Sequence, residues 1–316
     1  MQRFSNLTLK KVLLPLQQLA TSLVITGLCS SSVLAQSVLD RAEIYKIRNQ
    51  VEINRRNQSV WNRAKLGEVI IPQDTVRTGA NSRADLLFNE GTLVRTGANT
   101  ILRFPPNQRN FELASGAALI MVRPGQGESQ ISTPEANVVS QGTALFVQHD
   151  PRTNASLVGV LTSSPQGAVK VSSANGEITL ELNAGQFVSI INGVVGLVEY
   201  FILPMFYETV ELAAGLGTGQ EKLVATESRE VRATINAVRQ EAIAPLLNQT
   251  AWLKGFCRVN FNPEQLSPLL QWLGLGVPGT EVSLRLPKTD LLVIPMRSLT
   301  GLAWLTNYCK NPAIER

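Results

Sequence analysis

The stretch DTVRTGANSRADLLFNEGTLVRTGANT, residues 74–100, contains the hexapeptide VRTGAN twice, at Val76–Asn81 and, 18 residues later, at Val94–Asn99. Between the copies, apolar residues recur at every second position from Ala84 to Phe88, which is the period of a half-buried β-strand. Asn89–Gly91 then supplies a turn before the next strand. A unit of this length suits one layer of stacked strands or one hairpin of a sandwich, and it is too short for a helical repeat.

The glycine and asparagine of each copy are suited to tight corners. Gly79 and Gly97 can adopt a positive φ without steric cost, and Asn81 and Asn99 tolerate it better than most residues. We therefore expect Gly79 and Gly97 at equivalent corners of adjacent β units, each followed by a buried apolar strand.

Three short motifs in this region share one pattern. Residues 67–70 read GEVI, residues 74–79 read DTVRTG, and residues 82–93 read SRADLLFNEGTL. Together they resemble the FecR domain, the periplasmic sensor module first known from ferric-citrate signalling. The family usually has aspartate and serine where this chain has Glu90 and Thr92.

Later motifs extend the resemblance. Thr133–Ala136 and Gln141–Thr143 are similar to the threonine-proline segment and the glycine-threonine step of the family, and Ala184–Gln186 is similar to its closing strand. The resemblance implies a mainly β fold of stacked short strands, solenoid-like or sandwich-like, which we expect over residues 36–192. A smaller, helix-containing region is expected after it.

The resemblance also implies a role in signalling. FecR-type proteins generally cross the inner membrane, receive a signal from an outer-membrane transporter and control a sigma factor in the cytoplasm. This chain shows a signal peptide and no obvious cytoplasmic regulatory segment, so we do not expect direct control of a sigma factor. The remaining expectation is an exported β module that binds something in the envelope.

Residues 1–35 are predicted to be a secretory signal peptide. Basic residues within the first eleven positions form its positive end, Val12–Leu28 forms the apolar core, and Val33–Ala35 offers a cleavage site. The mature protein would then begin at Gln36 and be periplasmic or secreted. An uncleaved membrane anchor is the alternative, although the core is short and interrupted by polar residues.

Charge and composition argue against a nucleic-acid partner. The whole chain has 29 basic and 24 acidic residues. The predicted signal peptide carries three of the basic residues and none of the acidic ones, so the mature chain has a net charge of only +2. Aromatic residues make up 6% of the chain, which is few for a surface that stacks bases.

Two cysteines remain once the signal peptide, which contains Cys29, is removed. Cys257 and Cys309 are an even number in an oxidising compartment, so we predict a disulfide between them. Such a bond would close a loop of about 50 residues and contribute roughly 4 kcal/mol in the chain-entropy account. Two free buried thiols are the alternative.

The β pattern continues on both sides of the repeat. Val38–Arg48 could be a helical turn or a first strand, and its period-two pattern favours the strand. Gly116 is expected to end a strand before Ala118–Val122 forms the next. Asn175–Gly176 predicts a type I′ hairpin turn, because both central residues of that turn need a positive φ. Trp61 is expected to cover one end of the core.

Residues 193–219 are predicted to be an apolar strap and linker. The run VVGLVEYFILPMF is too short for a membrane span and contains a carboxylate, so packing against the β domain is the favoured interpretation. Gly215–Gly219 resembles a phosphate-binding loop only faintly, because the lysine and serine or threonine that should follow are absent. A flexible joint is expected there.

Residues 220–316 are predicted to be an α-helix followed by a mixed, disulfide-linked region. Thr218 and Glu221 have the spacing of a capping box, so the helix is expected to start there, and Pro245 is expected to help end it. One apolar stripe runs along this helix, comprising Val224, Val231, Ile235, Val238, Ala242 and Leu246.

Few residues in the sequence point to catalysis. His149 is the single histidine, and His149–Arg152 has the composition of a turn between strands rather than of a triad with an oriented base. Zinc sites usually use several histidine or cysteine ligands. We therefore expect no enzyme activity, no cofactor and no metal site.

The repeat offers the candidate binding residues. Arg77 and Arg95 occupy the same position in the two copies, and they could project from one face as a pair of cationic donors for an acidic partner. The function expected is a non-enzymatic exported sensor or binding module that recognises a protein partner or a cell-wall polymer. A structural protein of an envelope assembly is the alternative, and a hydrolase is a distant third.

Overall fold

A computed structural model describes residues 38–56, 58–106, 108–260, 304–305 and 307–309, all of which belong to one compact unit. The predicted signal peptide lies outside the described residues. Eighteen strands form in the described chain: β1 Ala42–Arg48, β2 Val51–Asn54, β3 Trp61–Arg63, β4 Val69–Ile70, β5 Thr75–Thr78, β6 Arg83–Phe88, β7 Leu93–Thr96, β8 Ile101–Arg103, β9 Asn110–Met121, β10 Glu128–Ser132, β11 Ala136–Gln141, β12 Ala144–Asp150, β13 Ala155–Val160, β14 Val169–Ser173, β15 Thr179–Leu182, β16 Gln186–Ile191, β17 Val194–Val195 and β18 Glu199–Tyr200.

The strands form two sheets that share β9. We call the first the covered sheet, with the order β4-β1-β6-β7-β9-β12-β13-β16, and β17 and β18 pair with β16 at its edge. The second is the open sheet, with the order β3-β2-β5-β8-β9-β10-β11-β14-β15. The pairing is antiparallel throughout except between β9 and β10.

The main core lies between the two sheets. Alternate residues of each strand point inward, as in Ile44 and Leu86 of the covered sheet and Ile53 and Val76 of the open sheet. At one end of the sandwich the Phe88 ring meets the rings of two other phenylalanines edge-on, each at a centroid distance of 5.1 Å. The apolar residues that alternate in the sequence therefore form the core between the two sheets, and the prediction of a mainly β fold is confirmed.

Helices cover the outer face of the covered sheet. They are α1 Leu203–Thr209, α2 Glu221–Ala225 and α3 Arg229–Asn260, and a single 3-10 turn, Glu211–Ala213, follows α1. Leu119 and Phe146 of the sheet share a second apolar core with Phe206 and Ile235 of the helices. Because both of its faces are covered, every residue of β12 is buried.

The two copies of VRTGAN form stacked corners, but the positive φ is not at the glycines. Asn81 and Asn99 both have φ of 51°, whereas Gly79 and Gly97 lie outside the positive-φ region. Backbone hydrogen bonds join the two corners, including one in which Asn99 N–H donates to the Gly79 carbonyl at 3.1 Å. The corners are thus neighbours, and asparagine tolerates αL well enough to supply the turn.

Each corner forms hydrogen bonds with both backbone groups, N–H and C=O, of one residue in a neighbouring segment. Gly79 N–H donates to the Gln50 carbonyl, and the Ser82 hydroxyl accepts from Gln50 N–H at 3.1 Å. In the second copy Gly97 N–H donates to the Ala117 carbonyl, and the Thr100 hydroxyl accepts from Ala117 N–H at 3.1 Å. The repeated sequence therefore encodes a repeated backbone clamp.

Three local expectations were wrong. Gly116 does not end a strand, since β9 continues through it and passes from the open sheet to the covered sheet there. The hairpin between β14 and β15 has a longer loop than a type I′ turn, and only Gly176 of the pair Asn175–Gly176 has a positive φ. Trp61 lies on β3 and stacks against Arg77 on the outer face of the open sheet instead of covering the core.

The helix boundaries also differ from those expected. The capping box does not form: Gln220 is the N-cap of α2 and makes no side-chain cap bond, and the long helix starts only at Arg229. Pro245 lies inside α3 rather than ending it. Buried apolar residues on both sides of Pro245, Ala242 and Leu253, hold the helix in place and outweigh the lost hydrogen bond.

The end of α3 is tied to a short helical segment near the C-terminus. Cys257 and Cys309 are disulfide-bonded, with their Cα atoms 5.2 Å apart. The bond lies in a small apolar cluster with Met205, Leu253 and Leu305. Most of the region between the two cysteines lies outside the described residues.

Gly116 and Gly125 provide a matched test of the crossing in β9, because both have φ of 81°. A Cβ at Gly116 would lie 2.5 Å from Thr100 Cα and 2.8 Å from the Asn99 carbonyl oxygen, whereas a Cβ at Gly125 would meet nothing within 4 Å. We expect Gly125→Ala to cost about 1–2 kcal/mol from φ alone and Gly116→Ala several kcal/mol more. Urea unfolding measures both, and equal losses would show that the close approach is unimportant.

Candidate functional site on the open sheet

The outer face of the open sheet carries an arginine held by two neighbours. Arg77 projects outward from β5, and its guanidinium lies 4.1 Å from the Trp61 ring centroid. Its Nε donates to Glu52 at 2.6 Å. The strands bring these three side chains together. Glu52 of β2 is opposite Arg77 of β5, and β2 pairs on its other side with β3, which carries Trp61. The stack and the ion pair together fix a side chain that is still partly exposed.

A second ion pair lies on the same face. Arg103 of β8 is opposite Glu112 of β9, and Arg103 Nε donates to the Glu112 carboxylate at 2.7 Å. Both side chains are more than a third exposed, at 40% for Arg103 and 34% for Glu112. The strand register continues this row through Ser132 and Asn137 to Thr179 at the far edge. The outer face is therefore polar and has charged groups near one end.

Arg95, the counterpart of Arg77 in the second copy, is enclosed. Its side chain is 2% exposed on the outer face of the covered sheet. One terminal nitrogen donates to the backbone carbonyls of Leu212, at 2.9 Å, and Ala214. Asp85 lies 3.5 Å from its Nε. Burial lowers the pKa of Arg95, and the nearby carboxylate of Asp85 acts in the opposite direction. Because the guanidinium is enclosed and bonded to two carbonyls of the strap, it holds the strap and is not available to a partner.

The expected pair of arginine donors is therefore not formed. The chain passes from the open sheet at β5 to the covered sheet at β7, so equivalent side chains of the repeat point to opposite sides of the sandwich. In the part of the chain that the structure describes, helices cover one side of the sandwich and leave the other side open. Of the two arginines, only Arg77 stays available to a partner.

His149 takes part in a buried polar network. It lies near the end of β12 and not in a turn, and its Nδ1 is 3.0 Å from the Ser156 hydroxyl, which is 2.7 Å from the Thr133 hydroxyl. Burial lowers the pKa of His149, which favours the neutral ring. Its side chain is enclosed from solvent. Within the part of the chain that the structure describes, no group of three or more His, Cys, Asp or Glu residues could hold a metal ion.

The glycine-rich loop after the strap is occupied by side chains of the protein itself. Gln220 Oε1 accepts from Gly215 N–H at 2.6 Å and from Gly217 N–H at 3.3 Å. Arg239 donates to the carbonyls of the same two glycines. The amides that a phosphate would need are thus already bonded, and the loop is pinned to α3 rather than free.

Glu241 lies where α3 meets the covered sheet. Its carboxylate accepts from the Thr162 hydroxyl at 3.1 Å, and its other oxygen is buried with no hydrogen-bond partner. Burial raises the pKa of Glu241 to about 7, and the hydrogen bond from Thr162 acts against this. The protonated form is therefore favoured at the interface between helix and sheet.

Sequence reasoning missed the neighbours of Arg77. Glu52 and Trp61 come from a hairpin whose pairing was not predicted, and the period-two pattern alone does not say which strand lies beside which. The available signal was that the polar residues Asn62 and Arg63 directly follow Trp61, which is unusual for a strand of the core.

Removing the buried charge should loosen the strap. We expect Arg95→Met to cost about 2–4 kcal/mol, since two buried carbonyls lose their donor while Asp85 keeps its ion pair with Arg83, and to speed hydrogen exchange in residues 210–216. Arg77→Met is the matched control from the first copy and should cost about 1 kcal/mol or less. Denaturant unfolding and exchange mass spectrometry measure both. Equal losses for the two variants would contradict the structural assignment of Arg95.

Glu241 should make stability fall as pH rises. Its folded pKa of about 7 lies above the ordinary glutamate value of 4.5, so its contribution to stability is complete below about pH 4.5 and is lost as pH rises through 7. Glu241→Gln should remove this part of the pH dependence, on the order of 1 kcal/mol given the half-exposed site. Urea unfolding at pH 5 and pH 8 measures the change. The lowered pKa of His149 makes its own contribution to stability change with pH in the opposite direction. That contribution is the same in the wild type and in Glu241→Gln, so it cancels when the two proteins are compared.

Comparison with known proteins agrees with the motifs. Residues 74–164 match the family model described as "FecR protein". No curated protein matches the chain significantly. Two crystal structures of a "putative anti-sigma factor from Parabacteroides distasonis ATCC 8503" are similar at 20% and 21% identity with a TM-score of 0.35, over 40% of this chain and 59% of that one. The chain thus carries a FecR domain over residues 74–164, which contain strands β5 to β13.

Proposed function

We propose that this protein is a non-enzymatic sensor or binding module of the FecR type that acts in the cell envelope and recognises a protein partner. The observation that carries the proposal is the asymmetry of the sandwich. The FecR strands have two outer faces, and among the described residues one is closed by the strap and α3 and the other is open. A partner of the FecR strands would therefore meet the open sheet.

The chemistry of the open sheet suits a protein partner with acidic groups. Tryptophan and arginine are the residue types most enriched among side chains that dominate binding energy at protein interfaces. Trp61 and Glu52 hold Arg77 in one orientation, which lowers the entropy lost on binding. Arg103 is a second partly exposed arginine on the same face, held by Glu112, and a guanidinium paired on one side keeps further N–H donors for a second carboxylate.

The envelope location rests on separate features. The predicted signal peptide would export the chain, and a disulfide between Cys257 and Cys309 persists in an oxidising compartment. No helix in the described ranges is long and apolar enough to span a membrane. These features fit a module that works outside the cytoplasm.

Arg77→Ala should weaken partner binding at least 10-fold without unfolding the protein. The immobilised protein would be incubated with solubilised envelope extract, and proteins retained by the wild type would be compared with those retained by Arg77→Ala and by the control Arg229→Ala, which changes an exposed arginine on α3. We expect at least a 10-fold loss of a discrete partner for Arg77→Ala only, about 1.4 kcal/mol or more. The melting temperature should change little.

Related measurements separate the competing functions. Co-sedimentation with purified cell-wall sacculi in place of protein capture would favour a polymer as the ligand. Binding that survives both Arg77→Ala and Arg103→Ala would place the recognition surface elsewhere and contradict the proposal. Turnover of an envelope polymer by the purified protein would overturn the non-enzymatic assignment.

A further inference from the structure

We propose that copies of this chain associate head to tail through the two edges of the sandwich, so that the open sheet of one copy continues into that of the next. One edge, the leading edge, consists of β3 and β4 with the residues between them and, just before β3, Arg56 and residues 58–60. The other, the trailing edge, consists of β15, β17 and β18 with the loops that precede β15 and join β17 to β18. Among the described strands, β3 pairs only with β2, and β15 pairs only with β14.

Exposed apolar side chains are concentrated at these edges. Of the thirteen large apolar residues that are exposed in the described chain, eight lie at one edge or directly beside it. They are Val60, Leu66 and Val69 at the leading edge, and Ile178, Ile191, Val194, Leu197 and Tyr200 at the trailing edge. Leu197 is the most exposed, at 85%. Apolar groups gathered at both ends of a sandwich are typical of surfaces that meet another protein.

The two edges differ in charge. The leading edge has exposed basic side chains at Arg56, Arg63 and Lys65, with one exposed acidic residue, Glu43, on the adjoining strand. The trailing edge has exposed acidic side chains at Glu177 and Glu181, with Lys170 opposite Glu181 on the neighbouring strand. Like edges therefore repel and unlike edges attract, which favours a head-to-tail arrangement over a symmetric dimer.

The strand directions permit such a junction. From β3 to β15 the open sheet changes strand direction seven times, with one parallel step between β9 and β10, so β3 and β15 run in opposite directions. A second copy placed beside β15 in the same orientation would bring its own β3 into antiparallel pairing, which is the dominant pairing in this sheet.

The register of the sheet predicts which residues would face each other. One row of paired residues runs from Trp61 in β3 through the sheet to Thr179 in β15. Continuing that row across the junction places Trp61 of the next copy opposite Thr179. Extending the antiparallel pairing by two residues brings Arg63 beside Glu177, which lies in the turn just before β15.

Charge at an edge strand has a competing explanation, because natural proteins use charged residues to prevent edge pairing. Protection of that kind requires only that every edge be charged. It does not require opposite signs at the two ends or apolar residues beside the charges. The two explanations make different predictions for reversed charges.

Charge reversal tests the junction in the exported, disulfide-bonded protein. Sedimentation velocity over a concentration series should show mass rising with concentration for the wild type, and less so at high salt. Arg63→Glu alone and Glu177→Arg alone should each weaken the association at least 10-fold, because each sets like charges opposite one another. Both sites are exposed, so circular dichroism and melting temperature should match those of the wild type.

Mixing the two variants tests whether Arg63 and Glu177 meet at the same junction. Equal amounts of Arg63→Glu and Glu177→Arg should recover concentration-dependent assembly, since every junction in an alternating array joins opposite charges. The control Arg229→Ala should assemble as the wild type does. A wild type that is monomeric at all concentrations, single variants that assemble normally, or a mixture that shows no recovery would each overturn the proposal.

Discussion

A buried guanidinium determines which side of this sandwich is available. Arg95 lies on the outer face of the covered sheet, where it has little access to water, and it must find oxygen partners there. The strap supplies two carbonyls and the sheet supplies Asp85. Once the strap is held in that position, α1 and α3 can bury the aromatic side chains of the sheet beneath them, and the open sheet remains as the uncovered face of the FecR strands.

Much of the β architecture could be predicted from local patterns. Alternation from Ala84 to Phe88 gave a strand with the correct inward face, and the favoured strand within Val38–Arg48 is present as β1. The repeated hexapeptide gave two equivalent corners because Asn81 and Asn99 both adopt the left-handed conformation, which asparagine tolerates by itself. Such features depend on a few neighbouring residues, and for that reason a single sequence contains them.

The candidate site was harder to predict because it depends on which strands are neighbours. Two identical hexapeptides were expected to present Arg77 and Arg95 alike, yet one lies on the open sheet and the other under the strap. Local signals were also overruled by packing in the C-terminal helices. Gln220 is committed to the glycine loop and the capping box is lost, while buried residues on both sides keep Pro245 inside α3. Tertiary contacts decide these outcomes, and sequence periodicity does not report them.

Strand β9 belongs to both sheets, and this has a consequence for folding. Its first half pairs with β8 and β10 in the open sheet, and its second half pairs with β7 and β12 in the covered sheet. Neither sheet can detach without breaking the ladder of a strand that the other also uses. The two layers should therefore open as one cooperative unit, with amide protons at the centre of both exchanging only through global unfolding. Because other strands, such as β1 with β6 and β11 with β14, pair across intervening strands of the sequence, the sandwich should also fold slowly for its size.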